Sequence, residues 1–265
     1  MKKISTIQGF TLIELLIAMA IASIVMAAIV TTFTIQVRGK NTQEALTHMN
    51  QTARAALEVM SHEIRMSGCD PEETGDTGIL KATVSELIFS MDTQNDDCEN
   101  VADGDICDRS EVIRYKLTND SDDDGENDDI SSGVRCDLGR ETGAQIIPDE
   151  TSGTVSCSGG GTCYEPGRTA LQPLGRHVDA LNFVYLDEDG NTITTPVSAG
   201  NLDDIRTIEV AIVARAGESS GGLLHSYTNT ETYENIQGAT ILGAQNDSFR
   251  RLGLSTTIFL RNMGR

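Results

Sequence analysis

The stretch QGFTLIELLIAMAIAS, residues 8–23, decides how this chain is read. It opens an apolar run from Phe10 to Val37 that is long enough to cross a bilayer, which takes about 20 apolar residues, and the run's only charged residue is Glu14. An ionised carboxylate inside a membrane helix costs ~2.5–3.5 kcal/mol on insertion scales and marks a paired or functional position. Lys2 and Lys3 precede the run, as in a secretory leader. The small-residue cleavage site that should follow a signal peptide's apolar core is missing, because the sequence continues through Thr31, Phe33 and Ile35 to Arg38 and Lys40. A plain signal anchor would account for the run but not for Glu14.

Beyond Arg38 the pattern changes. Leu46, Met49, Ala53, Leu57, Met60 and Ile64 recur at steps of three and four among polar residues, which predicts an amphipathic helix with a narrow apolar stripe. Gly68 and Pro71 signal its end. No proline interrupts residues 10–67, so one continuous helix is expected, ~87 Å long at 1.5 Å per residue. The remainder predicts strands at Glu86–Met91, Glu111–Leu117, Val178–Leu186, Asn191–Thr195, Arg206–Ala214 and Leu254–Leu260, with a hairpin signal, DEDG, at 187–190. A long helix followed by antiparallel strands is an α+β class. The segment from Thr118 to Arg176 reads as a long loop.

The net charge of −20 comes from 40 acidic residues, half of them between Gly68 and Ile130. Such a surface repels phosphate backbones, so nucleic acid is not an expected partner. Six cysteines in an acidic, exported domain read as disulfides. Short separations favour Cys98–Cys107 and Cys157–Cys163, which leaves Cys69–Cys136, while free buried thiols stay open as the alternative. Cysteine spacings and scattered histidines do not match a zinc site.

Residues 120–129, DSDDDGENDD, hold the one local chemical motif. Asp120, Asp122, Asp124 and Gly125 form D-x-D-x-D-G, with the Glu126 carbonyl and Asp128 at the next ligand spacings for Ca²⁺. An EF-hand has glutamate at position twelve, where this chain has Ser131, so the loop is closer to thrombospondin-type calcium repeats. A solvated acidic loop has the same composition. No other cofactor is implied, and no catalytic constellation appears, since His48, His62, His177 and His225 lack a nucleophile or metal partner by spacing.

From Gly9 to Ala18 the chain reads G-F-T-L-I-E-L-L-I-A. Here it resembles type IV prepilins, including the pseudopilins of type II secretion. The later segments SELIFSMD, EVIRYKL, LGRHVDALNFVYLDEDGN, DIRTIEVAIVAR and RRLGLSTTIFLRN resemble the PilW-like minor pilins and the related J-type minor pseudopilins. The resemblance implies a type IV pilin fold, a long N-terminal helix with an antiparallel sheet laid on its second half. It implies cleavage between Gly9 and Phe10 by a prepilin peptidase, N-methylation of Phe10, and neutralisation by Glu14 of a neighbouring subunit's N-terminal amine. Loss of Lys2 and Lys3 with the leader takes the formal charge from −20 to −22.

The organisation then expected is a leader at 1–9, a membrane or filament-core half-helix at 10–37, an amphipathic half at 38–67, and an acidic head at 68–265. The expected function is that of a minor type IV pilin, a structural subunit and not an enzyme, that helps start or cap a pilus. Its partners would be other minor and major pilins, the prepilin peptidase and the inner-membrane assembly platform. It would be an inner-membrane protein with a periplasmic head before assembly and part of a pilus or pseudopilus afterwards. The alternatives are a minor pseudopilin of type II secretion and, in another class, a membrane-anchored calcium-dependent adhesin.

Overall fold

The structure is a computed structural model, and it describes residues 10–73, 77–94, 102–108, 111–130, 134–143, 170–216 and 227–263. The helix α1 runs from Leu12 to Met66 without a break. It ends where Gly68 takes the left-handed conformation (φ +71°) that favours glycine, and a side chain there would press on Met263. The chain divides into two compact units, residues 1–44 and 45–265. In the first, every large apolar side chain of the helix is exposed, from Phe10 to Val37. The hydroxyls of Thr31, Thr32 and Thr34 donate to the carbonyls four residues back, so these polar groups are satisfied within the helix itself.

The described residues of the second unit form eleven strands: β1 (Ile79–Ala82), β2 (Leu87–Ser90), β3 (Val112–Leu117), β4 (Asp137–Thr142), β5 (Gln172–Arg176), β6 (Val178–Leu186), β7 (Thr192–Ile193), β8 (Thr207–Arg215), β9 (Tyr233–Glu234), β10 (Thr240–Leu242) and β11 (Arg251–Phe259). They form a five-stranded sheet in order β1-β2-β3-β4-β5, a four-stranded sheet in order β11-β8-β6-β7, and a β9–β10 ribbon, all antiparallel. Alternation selects one face of each sheet for the core. Phe89, Ile113, Tyr115 and Leu138 from the first sheet, and Leu181, Phe183, Ile208 and Ile212 from the second, pack in one cluster with Met49, Ala53, Leu57, Met60 and Ile64. The helix stripe predicted from spacing is therefore buried from Met49 to Ile64, with Leu46 half-buried, and Ala56 and Ser61 join it. Ion pairs add direction to this packing: Arg140 on β4 forks onto Glu63 of the helix at 2.9 and 3.1 Å, and the Tyr115 hydroxyl donates to the same carboxylate.

Most expected strands are present, with β6 spanning the predicted Val178–Leu186. The Asp187–Gly190 hairpin closes with the Asp187 N–H donating to Asn191, and β7 is shorter than expected. The expectation of one long loop from Thr118 to Arg176 is corrected, because β4 and β5 lie within it. Strand β4, DLGRET, carries polar residues that normally disfavour a buried strand. It is held by the β3 ladder, and Glu141 is matched by Arg114 at 3.1 Å.

The Cys69–Cys136 pairing is also corrected: both are free thiols. The Cys69 carbonyl accepts the Asp92 N–H, beside Met91, which bonds Glu111 at the start of β3. Cys136 lies beside Thr118 at the other end of β3. A six-residue strand, roughly 20 Å, separates them, whereas a disulfide needs Cα atoms within about 7 Å. Burial raises the Cys69 thiol and pushes Cys136 to about 11, which leaves both unreactive at neutral pH. Cys107 is disulfide-bonded. Cys98, Cys157 and Cys163 lie outside the described residues.

Glu111, fully buried before β3, accepts N–H bonds from Thr93, Gln94 and Asp108 at 2.8–3.1 Å. Burial, aided by the nearby Asp108 charge, still outweighs these bonds and pushes its carboxyl to about 7. The folded chain thus holds this proton more tightly than the unfolded chain does. Its contribution to stability is complete below about pH 4.5 and is lost as pH rises through 7, a change on the order of 3 kcal/mol. Chemical denaturation of the native chain and Glu111→Gln between pH 5 and 8 checks this. The native chain is expected to lose stability with rising pH, and the variant to show a flatter dependence.

Candidate functional site

Two places carry chemistry. The first is the start of α1. Gly9 lies outside the described residues; Phe10 is 90% exposed and precedes the helix. Thr11 caps it: the Glu14 N–H donates to the Thr11 Oγ1 at 3.3 Å, while the Thr11 N–H and hydroxyl donate to the Glu14 Oε2 at 2.9 and 2.8 Å. This is a capping box, T-x-x-E, which satisfies two backbone donors that a helix N-terminus otherwise leaves open. The Glu14 carboxylate is thereby held one residue from the Phe10 nitrogen. The sequence reading gave Glu14 only a charge role and missed Thr11, although the spacing of a threonine and a glutamate three residues apart was the available signal.

The second place is the acidic loop between β3 and β4. Asp120, Asp122 and Asp124 come together, with one carboxylate oxygen of each within 4.8 Å of the others; Asp120 is buried and the other two are exposed. Asp120 accepts N–H bonds from Asp124 at 3.1 Å and Gly125 at 3.2 Å, and Asp124 accepts that of Glu126 at 2.7 Å. Burial raises the Asp120 and Glu126 carboxyls. Asp128 stands outside this group: its carboxylate accepts the Ser121 hydroxyl and N–H, which hold its pKa below the usual range. Glu126, whose carbonyl the sequence places at a ligand spacing, stands opposite Ala180 in a bridge whose hydrogen bonds are made by its neighbours Gly125 and Asn127. The loop is pinned to β6, since the Leu181 N–H donates to the Gly125 carbonyl at 2.8 Å and the Asn127 N–H to that of Asp179 at 2.9 Å. Gly125 (φ +87°) is required here, because a Cβ would sit 2.3 Å from the Leu181 carbonyl oxygen.

A buried ion network lies next to the loop. The Asp179 carboxylate meets Arg251 at 2.7 Å and Arg215 at 3.5 Å, and all three side chains are fully shielded from solvent. It joins β6, β8 and β11.

Residues 4–30 match the family model of the prokaryotic N-terminal methylation motif. Among solved structures, a type IV-like pilin from Thermus thermophilus aligns at 15% identity over 82% of this chain and 98% of its own, with a TM-score of 0.45. No curated protein sequence matches the chain. The α1 helix is long and apolar enough to cross a membrane. In its N-terminal segment, where the motif and the start of this helix coincide, the chain is similar to the type IV prepilins.

Proposed function

We propose that this chain is a minor type IV pilin, a structural subunit that enters a filament through α1 and helps start or cap its assembly. The observation that carries the reading is the apolar half of α1. Its most apolar stretch has no buried residue, overlaps the methylation motif and begins with a capped glutamate. At roughly 25 cal/mol per Å² of apolar surface, such a face requires a bilayer before assembly and other pilin helices afterwards. The self-satisfied threonines suit either apolar surrounding. In this reading a prepilin peptidase cuts between Gly9 and Phe10, Phe10 is methylated, and the acidic head stands on the periplasmic side until assembly. Mass spectrometry of the mature N-terminus tests it: a chain beginning with methylated Phe10 supports it, and a chain retaining Met1 overturns it. A deletion strain separates the two machines, since loss of pili with secretion intact fits a pilus, and the converse fits a type II pseudopilus.

We further propose that the Asp120–Asp124 turn holds Ca²⁺, on the ground that three carboxylates already converge on a turn fixed by Gly125. Neutralising this like-charged group would also steady the loop. Calcium titration of the native chain is expected to release or absorb heat and raise the melting temperature, and Asp122→Ala to lose both effects. A native chain indifferent to millimolar calcium removes the proposal.

A further inference from the structure

Strand β11 is the end strand of the four-stranded sheet. Its ladder with β8 runs over nine residues with no register shift, from Arg251 opposite Arg215 to Phe259 opposite Thr207. At one end the Ala216 N–H donates to the Arg250 carbonyl, and at the other the Leu260 N–H donates to that of Arg206. Peptide groups alternate in direction along an antiparallel ladder. The even-numbered residues of β11 therefore face β8, and Gly253, Ser255, Thr257 and Phe259 turn their N–H and C=O groups to the outside. Among the described residues no backbone group pairs with them.

Proteins usually blunt such an edge with proline, a bulge, a charge or a very short strand. β11 has none of these: no proline and no charged side chain lies between Leu252 and Leu260, and Phe259 is 68% exposed. The opposite edge, β7, has two residues. The local charge is equally unusual. In a chain of net charge −20, residues 248–265 contain four arginines and no acidic residue. Arg251 is spent internally on Asp179 and Asp247. Arg250, stacked on Tyr227, and the exposed Arg261 flank the strand.

We propose that β11 is a docking edge that accepts an extended strand of another polypeptide, neutral in its centre and acidic at its ends. Main-chain hydrogen bonds to the four outward residues supply the pairing, and Arg250 and Arg261 set the charge of the partner. A second copy of this chain fits poorly. Full antiparallel pairing of two β11 strands brings Arg250 of each copy beside Arg261 of the other at both ends, where like charges repel. This interface is separate from α1 and does not depend on the filament role given above.

The test uses the full chain in detergent and two labelled peptides, Glu-Glu-Thr-Val-Thr-Val-Thr-Glu-Glu and its counterpart with lysine for every glutamate. The acidic peptide is expected to bind at least about tenfold more tightly than the lysine one, and to slow amide exchange at Ser255, Thr257 and Phe259. Thr257→Pro should abolish binding and leave the melting temperature nearly unchanged, because that N–H is not part of the β8 ladder. Arg250→Glu with Arg261→Glu should fold and reverse the peptide preference, which keeps the test decisive if the proline variant is unstable. Equal binding of the two peptides, binding of neither, undiminished binding by Thr257→Pro, or prior protection of the three amides in the free chain would each overturn the proposal.

Discussion

Under the proposed pilin role, Glu14→Gln is expected to be cleaved and methylated like the native chain, to keep its helix start, and yet to enter filaments at about a tenth of the native level or less. The separation of roles comes from the capping box. Glutamine also serves at the third helical position, where its carbonyl accepts the Thr11 donors, so the local helix start survives. What disappears is the negative charge that would meet a mature N-terminal amine. Opposite unit charges about 4 Å apart attract by ~4 kcal/mol at an effective dielectric of about 20. Even a third of that, surviving desolvation, is worth roughly a factor of ten. Glu14→Ala removes both the charge and the acceptor of the Thr11 donors, and should assemble less well still. Incorporation is read by immunoblotting of sheared filaments, and processing by mass spectrometry. If the glutamine variant assembles normally while the alanine variant does not, Glu14 acts as a cap and the charge account fails.

The helix and the central strands were legible because their signals are local. A 55-residue stretch with no proline, an apolar run followed by a three-four stripe, and alternating strands such as Val178–Leu186 all carry their reading in neighbouring residues. β4 and β5 were not, since their burial depends on partners far along the chain: Arg140 on Glu63, Glu141 on Arg114, and Gly175 against Ala56 of the helix. The Cys69–Cys136 pairing failed for the same reason. Pairing by elimination has no access to the length of β3, which holds the two thiols at opposite ends. The acidic turn was legible up to Asp124, where the motif is contiguous. Asp128 was not, because a hydrogen bond to Ser121 competes for its carboxylate, and composition cannot rank that bond against a cation.

Asp179→Ala is expected to cost ~3–5 kcal/mol of unfolding free energy, the largest single-site loss foreseen in the sheet unit. The residue is fully buried and its carboxylate is shared by Arg251 and Arg215. Truncation leaves both guanidinium groups in a dry site. Arg251 retains Asp247 at 2.6 Å, and among the described residues Arg215 retains the Val134 carbonyl at 3.0 Å and the face of Phe249 at 4.6 Å. Arg215 is thus the group whose isolation dominates the loss, and it lies on β8, the strand central to its sheet. Asp247→Ala should cost less, because Asp247 is partly open to solvent and Arg251 keeps Asp179. Replacing charges on both sides of the pair discriminates further. In Asp179→Leu with Arg215→Met, the uncompensated charge is gone, and stability should recover most of the loss seen in Asp179→Ala. Urea denaturation of the four chains measures all these terms. A double variant no more stable than Asp179→Ala would mean that the bond the Asn127 side-chain amide donates to the Asp179 carboxylate, and not charge burial, governs this site.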